Sequence, residues 1–99
     1  MVKRIVWSAN ALADRIEILD YWNKRIGSKI YSNKLDKSLK DVIHNLSIFP
    51  EIGRKMEYSE ERFIVKDNYE IFYLIDENVV QILHIWDSRR DPISIKLYE

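Results

Sequence analysis

The chain contains no cysteine. That absence excludes a disulfide framework and any thiolate metal site, and it fits a reducing compartment. Glycine and proline occur only twice each, and Gly27 and Gly53 stand too far apart to form a Gly-rich phosphate loop. No stretch approaches the roughly 20 apolar residues of a membrane helix. The opening MVKRIVWSANALADRIEILD also lacks the apolar run of about 7–15 residues found in a signal peptide. The expected location is therefore the cytoplasm, with no membrane partner. His44 and His84 are the only histidines, and no carboxylate stands at metal-ligand spacing from either. No metal and no cofactor are expected.

What is present is the composition of a packed globule. The 99 residues are 46% apolar and 12% aromatic, enough for one domain spanning 1–99 that buries about 60–65% of its unfolded surface. There is no low-complexity run and no internal repeat. Net charge is zero, but the charges are unevenly placed. Residues 1–49 hold nine Lys/Arg and five acids, whereas residues 50–99 hold seven and eleven. Proteins that grip phosphate backbones concentrate positive charge where they grip, and the second half does not read as such a surface.

The periodicity divides the chain in two. Residues 2–7 read as a short strand ending at Ser8, a suitable N-cap. Leu12, Ile16, Leu19, Trp22 and Ile26 then recur at steps of three and four, an apolar stripe that predicts a helix to about Ile26, with Gly27 as its C′ residue. Ser28 can cap a second helix with the stripe Tyr31, Leu35, Leu39, Val42, Ile43 and Leu46, ending near Phe49 before Pro50. Beyond it, residues 54–58, 62–66, 69–75 and 79–86 are rich in Ile, Val, Phe, Tyr and Trp and read as an antiparallel meander, with a hairpin turn at Asp76-Glu77-Asn78. The expected fold is α+β, in the order β-α-α-β-β-β, with an N-terminal helical hairpin packed on one face of an antiparallel sheet.

This order, together with SANALADRIEILDYW, FPEIGRK, RFIVKDNYEIFYLID and VVQILHIWDSRRDP, resembles the RelE/ParE superfamily of toxins from type II toxin–antitoxin systems. The resemblance covers nearly the whole chain. It implies a toxin held inactive by a cognate antitoxin and acting in one of two ways. RelE-like members cut messenger RNA in the ribosomal A site; ParE-like members poison DNA gyrase by binding.

Metal-free RNA cleavage needs a base for the ribose 2′-OH, cations for the phosphorane charge and an acid for the leaving oxygen. In RelE-like enzymes the resemblance places two sheet lysines spaced i, i+2 on Ile64 and Lys66, so one is missing. An arginine following a strand tyrosine falls on Glu70, a reversal of charge. Lys66, Arg89, Arg90 and Tyr98 are the candidate catalytic residues that stay, and His84 is a further candidate base. Losing one transition-state donor costs about 3–4 kcal/mol, so the residues favour a ParE-like toxin that binds a target such as gyrase. The alternatives are a ribosome-dependent endoribonuclease and a non-toxic interaction module.

Each candidate also has a plainer reading. His84, in ILHIW, reads equally as a core or edge histidine sharing a face with Ile82 and Trp86. Arg89 and Arg90 could form a solvated turn with Asp87 or Asp91. Arg62 and Lys66 sit among Glu57, Glu60 and Glu61 in a mixed-charge surface, and the aromatic residues have the spacing of core. Helices cover one sheet face, and the meander is apolar on both. A second face is thus left for an antitoxin helix or strand, with Arg62, Ile71 and Phe72 as expected contacts.

Overall fold

A computed structural model describes residues 2–88; Arg89, Arg90 and Tyr98 lie outside the described residues. Strand β1 (Arg4–Trp7) leads into helix α1 (Ala9–Ile26), and helix α2 (Lys29–Ile48) returns antiparallel to it. The Ser8 hydroxyl accepts from the Ala11 amide and caps α1. Gly27 ends the helix at φ 75°, a left-handed conformation that a residue with a Cβ adopts only under strain. Ser28 caps α2 through the Ile30 amide. After α2 comes a single 3-10 turn at Pro50–Ile52, then β2 (Arg54–Lys55), β3 (Arg62–Lys66), β4 (Tyr69–Ile75) and β5 (Val79–Asp87).

The five strands form one sheet in the order β1-β5-β4-β3-β2. β2 to β5 pair antiparallel as expected, although β2 holds only Arg54 and Lys55 of the expected 54–58, and β1 joins β5 in parallel, with Arg4 opposite Val79 and Trp7 opposite Ile82. The sheet is therefore mixed. The reason is topological: the helical hairpin carries the chain from β1 at one edge of the sheet to β2 at the other, and the antiparallel meander then returns strand by strand until its last strand, β5, meets β1 running in the same direction.

The core lies between α1, α2 and one sheet face. Leu35, Leu39, Ile43 and Leu46 of α2 pack with Tyr69, Ile71 and Tyr73 of β4 and with Val80, Ile82 and Ile85 of β5. The α2 stripe is thus the buried one, except that Tyr31 is exposed. The α1 stripe needs correction. Ala11 and Ile18 are its buried residues, whereas Leu12, Ile16 and Ile26 are exposed, Ile16 at 68%. Polar residues decide this. Asp14 and Arg15 lie on the inward side because each has a partner there: the Ile85 amide donates to Asp14 at 3.1 Å, and the Arg15 guanidinium donates to both Asp36 carboxylate oxygens at 2.7 and 2.9 Å. Apolar periodicity cannot register a polar side chain that turns inward to be bonded.

Two further knots fix the frame. Trp22 Nε1 donates to the Tyr69 hydroxyl at 2.7 Å, tying α1 to β4. The buried Tyr73 hydroxyl accepts from the Gly53 amide at 2.9 Å and donates to the Pro50 carbonyl at 2.7 Å, so it holds the bend after α2 against the sheet. Gly53 has ordinary extended backbone, φ −75°; it is glycine for lack of room. A Cβ there would meet the Tyr73 hydroxyl and lie 2.8 Å from the Phe63 carbonyl oxygen.

These knots make measurable differences. Tyr73→Phe leaves a buried donor and a buried acceptor without their partner, which costs about 1–3 kcal/mol; the melting temperature should fall by about 10 °C in thermal denaturation. The Arg15 guanidinium and, less strongly, Lys40 hold the Asp36 carboxyl below the usual carboxylate range. A depressed folded-state pKa contributes stability above the unfolded value of about 3.9, and that stability is lost as pH falls through the folded one. Asp36→Asn should therefore melt several degrees below the parent at pH 6, and the gap should narrow as the pH falls below about 3.9.

Candidate partner-binding surface

Strand register sorts the candidate residues onto two faces. On β3, Arg62 lies opposite Tyr73, Ile64 opposite Ile71 and Lys66 opposite Tyr69, so all three share the helix-covered side with the core. The other side carries Phe63 and Val65 of β3, Glu70, Phe72 and Leu74 of β4, and Gln81, His84 and Trp86 of β5. Phe63 and Phe72 stack across the strands with ring centroids 5.8 Å apart and planes 25° from parallel. Val65 is 56% exposed. This side is the apolar sheet face that the helices do not reach.

Ile71 does not belong to that face. It has no exposed surface and packs under the helices, so the expectation that it touches a partner is corrected: an even step from Tyr69 and Tyr73 puts it on their side. Phe72 is on the side away from the helices but only 3% exposed. Arg62 is engaged within the chain, where its guanidinium donates to the Gly53 carbonyl at 2.9 Å and more weakly to that of Glu51 at 3.4 Å. Val65 and Phe63, which sequence reading passed over, are the side chains at hand on this surface. The alternation of RFIVK contains them, and choosing between its two phases required the register.

His84 also departs from strict alternation. The β4–β5 ladder is irregular between Phe72 and Tyr73, with His84 opposite Phe72 but Ile82 opposite Tyr73. One extra residue, a β-bulge, reverses the parity of the strand. Ile82 and Ile85 thereby both face the helices, while His84 and Trp86 face away, which corrects the expectation that His84 shares a face with Ile82. The imidazole sits at the strand edge, half-buried, with Nδ1 3.8 Å from the Asp14 carboxylate. Around it the start of α1 closes the edge of β5. The Ser8 amide donates to the Ile82 carbonyl, the Ser8 hydroxyl donates to that of Leu83 at 2.9 Å, and Asp14 takes the Ile85 amide. Asp14 is the side chain that holds this segment to α1, and no apolar pattern marks it.

Of the residues expected to serve RNA cleavage, the two within the described residues, Lys66 and His84, lie on opposite faces of the sheet. Lys66 is half-buried on the helix side of β3, while Glu70 and His84 are on the opposite face. Lys66 instead borders a groove against α2 that also receives Lys34 and Lys37. Among the described residues there is no group of three or more His, Asp or Glu able to hold a metal, and no helix is long and apolar enough to cross a membrane.

A chain of the structure described as "Chromosomal ParDE TA system from P. aeruginosa" superposes with a TM-score of 0.74, covering 85% of this chain and 94% of that one at 20% identity. At that identity the likeness speaks to the fold. No curated protein sequence matches the chain. The family described as "ParE toxin of type II toxin-antitoxin system, parDE" matches residues 5–92, spanning β1, both helices and the meander. The chain therefore belongs to the ParE toxin family and is the toxin component of a type II toxin–antitoxin system.

Proposed function

We propose that this toxin is a cytoplasmic, single-domain protein that arrests growth by binding DNA gyrase, and that a cognate antitoxin neutralises it by covering the apolar sheet face. The observation that carries the binding reading is the separation of Lys66 from Glu70 and His84 on opposite sides of the sheet. Cleavage of RNA needs cations and a proton acceptor around one phosphate, and a five-stranded sheet stands between these. The resemblance supplies gyrase as the target and would still give Lys66, Arg89, Arg90 and Tyr98 any catalytic part, with His84 as the lesser candidate. An antitoxin partner is supported by the family and by the ParDE system whose fold this chain shares. The exposed Val65 and half-buried Phe63, backed by the buried Phe72 ring that Phe63 stacks on, give a partner an apolar anchor of the kind that dominates binding energy.

Two experiments test this. The purified toxin should inhibit gyrase supercoiling and leave messages on translating ribosomes intact; A-site cleavage at low toxin concentration, with supercoiling unaffected, overturns the target. For the antitoxin, Val65→Glu places a charge on an exposed strand position without disturbing the core. It should weaken antitoxin binding at least tenfold in calorimetry, about 1.4 kcal/mol or more, while leaving the melting temperature of the free toxin within a few degrees. Unchanged affinity would remove this face from the interface.

A further inference from the structure

Between α2 and the end of β3 lies an open groove of about 370 Å³ bordered by Lys34, Lys37 and Lys66. Its other polar walls are Ser38 and Asn45, and its apolar floor is Val42. One carboxylate, Asp41, stands on the rim, with Lys37 Nζ 3.2 Å away. That pair is highly exposed, with side chains 80% and 66% accessible, so it holds Lys37 only weakly. Lys34 and Lys66 pair with no carboxylate among the described residues. Asp67, next to Lys66 in the hairpin turn, is the other acid nearby.

We propose that this groove is a docking site for the phosphodiester backbone of duplex DNA. Three chemical features select that occupant. Lysine ammoniums accompanied by a hydroxyl and an amide are the side chains that contact phosphate oxygens and position a protein on a duplex. Among the described residues its lining has no guanidinium fork to grip a peptide carboxylate in bidentate fashion. Nor do these residues include an aromatic ring on which an unpaired base could stack, the platform that single-strand binders use. A duplex keeps its base faces stacked inside and lines its outer surface with phosphates, the groups such lysines hold. The proposal goes beyond the target reading and does not rest on it, because the groove is on the helix side, away from the apolar face. If the toxin engages an enzyme that itself holds DNA, the groove adds a second point of attachment.

The test uses the purified full chain and a fluorescein-labelled 20-base-pair duplex of random sequence, followed by anisotropy at salt concentrations from low to physiological. Each neutralised phosphate contributes a log–log slope of about −0.9, so three lysines should give a slope of about −2 to −3. K34Q/K66Q should lower affinity at least tenfold at low salt and flatten the slope by about 2, whereas K34R/K66R should retain binding. K24Q/K55Q removes equal charge elsewhere on the surface and should change affinity by no more than about twofold. Absence of salt-dependent binding overturns the proposal, as does an equal loss in K24Q/K55Q, which would mean diffuse attraction. So does tighter binding of a single strand of equal length, or displacement of the duplex by polyglutamate at matched charge. No gyrase is present in any arm, so failure here leaves the target reading untouched.

Discussion

Strand β5 is the constraint from which the arrangement follows. It is an inner strand, flanked by β4 along its length, but its parallel neighbour β1 ends at Trp7 opposite Ile82 while β5 continues to Asp87. Backbone groups past that point need partners, because a buried amide or carbonyl left without one costs as much as a lost hydrogen bond. The first turns of α1 supply them through Ser8 and Asp14. Ser8 thereby has two functions: it caps the helix and extends the ladder of the strand beside it. Once α1 is anchored at both points its rotation is set. Ala11 must face inward, where its small side chain permits close approach, and Leu12 and Ile16 must face out.

The bulge in β5 belongs to the same solution. Without the extra residue, the strand could not present Val80 and Ile82 to the core at one end and Ile85 at the other while also offering the Ile85 amide to Asp14. The Tyr73 hydroxyl plays a comparable part at the opposite margin, where it joins β4 to the bend after α2 and, through Gly53, to the carbonyl that Arg62 holds. Burial pushes its phenol up, with the Gly53 amide partly offsetting the rise. Between these margins the sheet has one face committed to the helices. Its other face carries Phe63, Val65 and Phe72.

Much of this was legible before any coordinates. Ser8, Gly27, Ser28 and Pro50 mark the helix ends because caps and breakers act through local backbone chemistry, and α2 shows its buried face because Leu35, Leu39, Ile43 and Leu46 dominate it. Three things were hidden. The parallel pairing of β1 is a matter of topology and leaves no mark in a four-residue strand. The inward turn of Asp14 and Arg15 depends on partners at Ile85 and Asp36, remote in sequence. The face assignments on β3 and β5 depend on phase, which is why Ile71 read as a surface residue and Val65 did not. The Lys34 and Lys37 spacing on α2 was visible; the approach of Lys66 to it was not.

The outer edge of the sheet explains one more choice of side chain. β2 pairs only with Phe63 and Arg62, so β3 from Ile64 to Lys66 is a sheet margin. A margin built of alternating apolar residues invites the same margin of another molecule to zip onto it and seed aggregates. Lys66 directs its ammonium toward the helix side there, and a second strand laid alongside would have to strip water from that charge. The same lysine that borders the groove against α2 thus also makes this margin a poor template for a second copy of the strand.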